Sequence, residues 1–174
     1  RNALQRQAAG REYAKVVVDV ADIRHRRSAA LTEFVSTAAE TVRNDDAVVV
    51  FEVMSSVDRK QVHDVAAELG LHELAIEDTL TGHQRPKLDH YGDHLFAVLR
   101  PARYLDDVEK VEFGELHVYV GADFVVTVRH AESPKLGEVR KRLETEKELL
   151  RMGPEAVLYA VIDQVIDEYE PVAD

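Results

Sequence analysis

Apolar positions along this chain alternate between the spacing of β-strands and the spacing of helices. Residues 15–20 and 47–53 are short apolar runs rich in valine, a composition that favours buried strands. Residues 28–43, and a second segment that ends at Leu69, repeat apolar side chains every three or four positions, which predicts amphipathic helices. The beginning of the chain is therefore predicted to alternate strand and helix.

The second half of the chain predicts a meander of strands. Residues 94–105 and 110–120 each have the pattern of one long strand, and Pro101 indicates a bulge or a sheet edge in the first of them. A hairpin turn at residues 121–123 leads into a further strand at residues 124–129. Helical spacing then returns and continues towards the end of the chain.

Helices before, between and after the strands predict a mixed, partly antiparallel sheet covered on both faces, which is a three-layer α/β/α sandwich. Periodicity by itself supports either α/β or α+β. No repeat, low-complexity tract or linker divides residues 1–174, so we expect a single soluble domain with residues 1–12 as a mobile arm. The apolar residues expected in the core include Leu95, Phe96, Val98, Val118, Val126, Val161 and Ile162.

Residues 71–99 join a short amphipathic helix, a basic turn and a buried strand. The helix carries the adjacent acids Glu77 and Asp78, whose side chains point about 100° apart on a helix. These acids can therefore reach two different neighbours, but they cannot form an acid–base pair on one face. The alternative is that Glu77 and Asp78 are ordinary solvent-exposed acids at the end of the helix and have no functional role. The basic turn at residues 83–87 could bind phosphate or could anchor itself to neighbouring carboxylates.

The terminal segment is acidic and packed at the same time. After Arg151 the chain contains no basic residue, whereas acids are interleaved with apolar positions. Asp163 and Asp167 are four residues apart, so they are predicted to share one helix face without a basic partner. A divalent cation would offset their repulsion, because Mg²⁺ prefers oxygen ligands and is often held by one or two carboxylates. The alternative is that both acids face solvent.

The composition excludes several classes of function. The formal net charge of −11 argues against general nucleic-acid binding and against adhesion to anionic lipid, since both need a basic surface. The absence of cysteine excludes disulfides and thiolate metal sites. No apolar run is long enough to span a bilayer, and the polar N-terminus lacks the apolar core of a secretory signal.

The eight histidines do not form a zinc motif. His90 and His94 are four residues apart, but Gly92 breaks the helix that would align them, and His117 and His130 belong to strands. A soluble metal-dependent hydrolase is the main enzymatic alternative, since Asp, Glu and His can hold a metal-activated water. The conspicuous acids lie on separate helices and no nucleophile converges with them, so we assign no catalytic residue.

Three stretches of this sequence resemble the CorA family of divalent-cation transporters, and they follow one another in the family's order. They are LAIEDTLTGHQRPKLDHYGDHLFAVLR, FGELHVYVGADFVVT and LYAVIDQVIDEY. The resemblance extends over residues 48–174, and three ordered motifs are far more specific than any one of them. It implies the same α/β/α architecture and the N-terminal cytoplasmic domain of a transporter.

The resemblance also implies a regulatory role rather than catalysis. Glu77 and Asp78 match the family's cation sites at the boundary between subunits, Asp163 matches a further metal position, and Asp167 is assigned by proximity. The expected cofactor is Mg²⁺, bound weakly in the isolated domain, with Co²⁺, Ni²⁺ or Zn²⁺ as alternatives. The expected partners are divalent cations and the other subunits of a homopentamer, and cation binding would favour the closed channel.

The pore of such transporters, with its Gly-Met-Asn signature, lies in C-terminal membrane helices. Residues 154–174 are expected to begin the helix that leads towards them. The resemblance therefore implies an integral membrane protein whose soluble domain lies at the cytoplasmic face of the cell membrane. A zinc-transporting relative is an alternative within the same family, because such relatives share the fold and much of the signature.

Overall fold

The computed structural model describes residues 15–19, 47–54, 59–130 and 133–173. The predictions for residues 1–12 and for a helix at residues 28–43 lie outside these residues. The strands of the described part are β1 (Lys15–Asp19), β2 (Ala47–Met54), β3 (Lys87–Tyr91), β4 (His94–Leu99), β5 (Ala102–Leu105), β6 (Lys110–Phe113), β7 (Leu116–Val120) and β8 (Phe124–Arg129). The helices are α1 (Arg59–Leu69), α2 (Glu73–Thr81), α3 (Leu136–Thr145), α4 (Lys147–Leu150), α5 (Pro154–Asp167) and α6 (Glu170–Ala173).

Six of these strands form one mixed sheet in the order β1-β2-β8-β7-β4-β3. The pairs β1–β2 and β2–β8 are parallel, whereas β8–β7, β7–β4 and β4–β3 are antiparallel. A short loop at Gly121 joins β7 to β8, as the hairpin pattern predicted, while the parallel pairs need longer connections. The prediction of a mixed, partly antiparallel α/β fold is therefore confirmed.

The central strands bury their side chains in two apolar clusters, one on each face of the sheet, because successive residues of a strand point to opposite faces. The first cluster joins Phe96 of β4 and Tyr119 of β7 to helices α1 and α2. The second cluster joins Ala97 of β4 and Val118 of β7 to helices α3 and α5. Helices α2 and α5 therefore lie on opposite faces of the sheet.

The core predicted from the sequence is present, with two members at its edge. Five of the seven expected residues are buried, at 0–2% exposure: Phe96, Val98, Val118, Val126 and Val161. Leu95 and Ile162 are half-buried and pack against the second cluster. Phe96 and Val118 are buried as predicted, although β7 is buried at every position and does not alternate.

The predicted strand at residues 94–105 is wrong as a single element, and so is the one at residues 110–120. β4 ends at Leu99, and β5 pairs only with β6, in a separate two-stranded sheet. Pro101 has no N–H for the strand ladder, so the chain leaves the large sheet there. It rejoins the sheet after Gly114, whose N–H donates to the carbonyl oxygen of Pro101 at 2.7 Å.

The edge strand β3 was not predicted, since residues 83–87 were interpreted as a turn and residues 88–92 as a bend. Its sequence, KLDHY, is polar at several positions and its burial alternates between half-buried and exposed. Such a strand lies at the margin of the sheet, where one side remains open to water. Among the described residues, no helix has both the length and the apolar character needed to cross a membrane.

Candidate functional site

Helix α2 holds Glu77 and Asp78 at the margin of the first apolar cluster. Ala75, Ile76 and Thr79 are the residues that this helix buries, so the two acids between Ile76 and Thr79 are turned away from the core. Glu77 is exposed, and the Asp78 carboxylate retains 25% of its exposure. The two adjacent acids thus lie in different surroundings, as their 100° separation on a helix requires.

The chain reverses direction sharply after α2. Gly82 has a positive φ of 67°, a conformation that is strained for residues with a Cβ atom. Its N–H donates to the main-chain carbonyl oxygen of Asp78 at 2.9 Å, which closes the end of the helix. The next residue, His83, also has a positive φ, of 58°. This turn brings the start of β3 back towards the acids of α2.

Lys87, the first residue of β3, occupies the space next to Asp78. Its Nζ lies 2.7 Å from Asp78 Oδ2 and 2.7 Å from Asp89 Oδ2. Lys87 and Asp89 are two residues apart on a strand, so their side chains share one face. The ammonium also lies 5.5 Å from the centre of the Phe96 ring, a distance suited to a cation–π contact. The hydrogen bond to Asp78, followed by the one to Asp89, raises the pKa of Lys87, so the amine stays protonated.

These contacts support the anchoring interpretation of the basic turn over phosphate binding. Lys87 is bound to Asp78, and the main-chain N–H of Gln84 donates to Glu115 Oε2 at 3.1 Å. Two donors of this turn are therefore occupied by carboxylates of the same chain. A phosphate would have to compete with both of those carboxylates.

The second pair of predicted acids lies on α5, on the other face of the sheet. Asp163 Oδ2 accepts a hydrogen bond from Nη1 of Arg142, a residue of α3. The prediction that Asp163 has no basic partner is therefore wrong, because its partner comes from another helix. Arg142 Nε also donates to Glu146 at 3.1 Å, and its hydrogen bond to Asp163 raises its pKa. Asp167, one turn further along α5, is exposed.

The four predicted site residues do not converge within one chain. Glu77 and Asp78 belong to α2, whereas Asp163 and Asp167 belong to α5 on the opposite face of the sheet. Across the residues that the structure describes, no group of three His, Asp or Glu side chains is arranged to hold a metal ion. Each acid pair could supply only part of a coordination shell.

A buried polar network, which was not among the predicted sites, connects α2 to the centre of the sheet. His117 Nδ1 lies 2.7 Å from Thr79 Oγ1, and His117 Nε2 lies 2.5 Å from Glu115 Oε1. The Tyr119 hydroxyl donates to the carbonyl oxygen of Ala75 at 2.8 Å and lies 2.5 Å from Thr79 Oγ1. Burial lowers the pKa of His117, although the hydrogen bond to Glu115 opposes that change.

The network continues to a surface cavity of about 410 Å³ beside the end of α2. Arg100 Nη1 donates to Glu115 Oε2 at 3.0 Å, and His130 lies with its ring centre 5.1 Å from that of His117. Burial lowers the pKa of His130 as well. The buried Glu115 carboxylate is therefore paired with Arg100 and hydrogen-bonded to His117, which satisfies a charge that would otherwise be costly to bury.

A sequence signal for this network exists in β7. His117 and Tyr119 occupy alternate positions between Leu116, Val118 and Val120, and every residue of this strand is buried. A strand that is buried on both faces and still contains polar side chains must hydrogen-bond them. Histidine spacing tests only for metal ligands, whereas the apolar neighbours of His117 in β7 indicate a hydrogen-bonding residue of the core.

Comparison with protein families gives a match over most of the chain. Residues 46–174 match the model of the CorA-like Mg²⁺ transporter protein family. YfjQ of Bacillus subtilis (strain 168), whose name assigns it to metal ion transport, is 40% identical over 101 residues, covering 58% of this chain and 30% of that protein. The cobalt/magnesium transport protein CorA of Thermotoga maritima is 26% identical over 141 residues, covering 79% of this chain and 40% of that protein.

Comparison with solved structures supports the fold. The soluble domain of CorA from Methanocaldococcus jannaschii superposes with a TM-score of 0.55 at 14% sequence identity. The superposition covers 70% of this chain and 48% of the other. At this identity the likeness concerns the fold alone. This chain also spans well under half the length of both curated relatives, at 30% and 40%.

Proposed function

Because this chain belongs to the family of CorA-like Mg²⁺ transporter proteins, we propose that it is the cation-sensing regulatory domain of a divalent-cation transporter. In this proposal Asp78 and Asp163 each contribute a carboxylate to a divalent-cation site at a boundary between subunits. Glu77 assists Asp78, and Asp167 assists Asp163. The domain faces the cytoplasm, and the full-length protein assembles as a homopentamer. The preferred cation is Mg²⁺, and Co²⁺, Ni²⁺ and Zn²⁺ are the alternatives that the experiment below compares with it.

The observation that carries the proposal is the incomplete ligand set around two partly exposed acids. Asp78 and Asp163 retain 25% and 34% of their side-chain exposure and lie on opposite faces of the sheet. No third His, Asp or Glu completes a site at either acid within the described residues. Mg²⁺ keeps several waters and is held by one or two carboxylates, so a second subunit can supply what one chain lacks.

The proposed mechanism is an electrostatic shift between two assemblies. With cation bound, carboxylates of adjoining subunits are bridged and the closed assembly is favoured. When the cation leaves, the formal charge of −11 on these 174 residues of each subunit is uncompensated and the subunits repel each other. A ligand shifts such an equilibrium only through the difference between its affinities for the two states. Sparse carboxylates and bound waters give weak binding, which suits a sensor of an abundant cation.

The test compares magnesium-dependent stabilisation of the full-length oligomer with that of two variants. Asp78→Asn and Asp163→Asn keep the shape of the side chain and remove its charge. We expect the rise of melting temperature with magnesium concentration to become smaller in each variant, because stabilisation follows RT ln(1 + [L]/Kd). Sodium chloride at matched ionic strength controls for screening without coordination.

Asp107→Asn is the matched control, because Asp107 is an exposed acid in the 3-10 turn between β5 and β6. It removes the same charge away from the predicted sites, so the magnesium response should remain that of the wild type. If Asp78→Asn and Asp163→Asn also keep the wild-type response, both acids are ordinary surface residues and the sensing role is lost. Repeating the titration with Co²⁺, Ni²⁺ and Zn²⁺ ranks the cations.

The proposal includes no catalytic role. The curated relatives are named for transport, and no nucleophile, base and oxyanion site converges among the described acids. Metal-dependent hydrolysis of phosphate or ester substrates would contradict this part of the proposal. The decisive result would be turnover that Asp78→Ala abolishes while the circular dichroism spectrum stays unchanged.

A further inference from the structure

We propose that Lys87 sets the divalent-cation affinity of Asp78, because its ammonium already occupies the cation position between Asp78 and Asp89. This inference rests on the proposed function, since it concerns the same carboxylate. It adds an internal competitor: metal binding at Asp78 is an exchange in which Lys87 leaves and a hydrated divalent cation enters. Neither the position of Asp89 nor the competition with Lys87 was expected from the sequence.

The geometry supports a single cation position. One ammonium lies 2.7 Å from an oxygen of Asp78 and 2.7 Å from an oxygen of Asp89. The two carboxylates come from different elements, α2 and β3, and both point at the same nitrogen atom. A divalent cation that coordinates Asp78 Oδ2 next to this ammonium would be a few ångströms from a like charge, which is unfavourable at this partly exposed site.

The side chain of Lys87 is able to leave. It retains 30% of its exposure, and its four-carbon stem is flexible, so the ammonium can turn into water without movement of the β3 backbone. The Phe96 ring beneath it is 1% exposed and stays fixed in the core. While Lys87 is in place, it cancels one of the two carboxylate charges. After it leaves, both charges face the entering cation.

Lys87 would therefore set the cation concentration at which the site at Asp78 becomes occupied. Asp78 and Asp89 without a lysine would form an open pair of carboxylates, which holds Mg²⁺ more tightly. Lys87 lowers that affinity, because the cation must first replace the ion pairs and the contact with the Phe96 ring. The ammonium therefore stabilises the cation-free state of the domain and keeps binding reversible when the cation concentration falls.

The experiment measures magnesium binding to the full-length protein with and without the charge of Lys87. Lys87→Gln and Lys87→Met remove the ammonium, and the methionine keeps much of the stem over Phe96. We expect the half-saturating magnesium concentration to fall about fivefold in both variants, the ratio that corresponds to the upper range for a partly exposed ion pair. Lys87→Arg keeps the charge and should bind magnesium no more tightly than the wild type.

Lys60→Gln is the matched control. Lys60 Nζ pairs with Asp64 Oδ2 at 2.7 Å on α1, so this variant removes the same charge from another lysine–aspartate pair. The half-saturating concentration should not change in this control. In an Asp78→Asn background, Lys87→Gln should have no effect, because the carboxylate for which lysine and magnesium compete is absent.

The outcomes separate this inference from the proposed function. If Asp78→Asn weakens magnesium binding but both neutral Lys87 variants resemble Lys60→Gln, Lys87 does not compete and only this inference is overturned. If Asp78→Asn leaves magnesium binding unchanged, Asp78 is not a ligand and the proposed site fails together with this inference. An equal gain in Lys87→Arg overturns the charge argument, because the ammonium would then not be the cause.

Discussion

Nε2 of His117 lies 2.5 Å from Oε1 of Glu115, and both side chains are buried, at 0% and 7% of their exposure. A buried acid and a buried histidine need further hydrogen-bond partners to offset the loss of water around them. Glu115 also accepts from Arg100, and His117 also contacts Thr79 at the opposite ring nitrogen. Through the contact with Thr79, His117 joins β7 to α2, the helix that carries Glu77 and Asp78. Its response to pH and to substitution can be measured directly.

The unfolding free energy should fall as the pH drops below about 6.5, the ordinary pKa of histidine. Burial lowers the pKa values of His94, His117 and His130. These three imidazoles therefore stay neutral in the folded chain at pH values where they take up protons in the unfolded chain. The stability that this contributes is fully present above pH 6.5 and is lost as the pH falls towards the folded-state values. Urea unfolding at pH 7.5 and at pH 5.5 measures the difference.

Substitution of one buried histidine should make that difference smaller. His130→Gln removes a group that only the unfolded state protonates in this range, so less stability is lost on acidification. His63→Gln is the control, because it removes an imidazole from an exposed position of α1. An unchanged pH dependence in His130→Gln would show that His130 takes up its proton without a cost to the fold.

Tyr119→Phe should destabilise the chain by about 1–3 kcal/mol, the usual cost when a buried hydrogen-bonding group loses its partner. The Tyr119 hydroxyl donates to the carbonyl oxygen of Ala75 and contacts Thr79, so its removal leaves both groups of α2 with one partner fewer. Tyr119 is 2% exposed, whereas Tyr104 on β5 is 40% exposed. Tyr104→Phe should therefore change stability by much less, and equal losses in urea unfolding would contradict the argument.

The sequence predicted the valine-rich strands better than it predicted which strands pair with each other. The valine-rich runs predicted as strands correspond to β1, β2 and β8, because β-branched side chains favour strands and so leave a local pattern in the sequence. The sequence contains no comparable local pattern that shows which sheet a strand joins. β5 and β6 alternate like the rest of the meander, yet they pair only with each other after the chain turns at Pro101.

The sequence named four candidate acids, whose role in cation binding stays a prediction, and it predicted their basic partners only in part. Glu77, Asp78, Asp163 and Asp167 could be named from their spacing and from a family resemblance. Arg142 is 21 residues from Asp163, and no local rule connects positions so far apart on two helices. Lys87 was near enough in sequence, but it pairs with Asp78 only because Gly82 and His83 adopt positive φ angles that fold the turn back.

Leu143→Ala should destabilise the chain by about 2–5 kcal/mol, since it removes a buried side chain and leaves a cavity. Leu143 of α3 is 1% exposed and belongs to the second apolar cluster, between the sheet and α5. Leu88 of the edge strand β3 is 59% exposed, so Leu88→Ala should stay within about 0.5 kcal/mol of the wild type. Chemical denaturation of both variants distinguishes a packed helix α3 from a loosely attached one.

Glu115→Gln should cost far more stability than Glu112→Gln, although each glutamate pairs with an arginine. Glu112 pairs with Arg103 at 2.6 Å on the exposed β5–β6 ribbon, and both side chains are about 40% exposed, at 44% and 38%. An exposed pair contributes about 0.2–1 kcal/mol, because water already solvates both charges. Glu115 pairs with Arg100 at 3.0 Å and is only 7% exposed.

Glutamine at position 115 would replace one carboxylate oxygen with an amide that donates hydrogen bonds. The groups around Glu115 are themselves donors, namely the Arg100 guanidinium and the N–H of Gln84, with His117 at the other oxygen. Glutamine can still offer its amide oxygen to Arg100 and Gln84, but it removes the negative charge opposite the guanidinium, so the loss should be about 1.5–3 kcal/mol, the range for hydrogen bonds to charged groups. Urea unfolding of the two variants at pH 7.5 measures the difference between them. Equal costs would mean that water reaches Glu115 through the neighbouring cavity, and the network would then be a solvated surface feature that does not anchor α2.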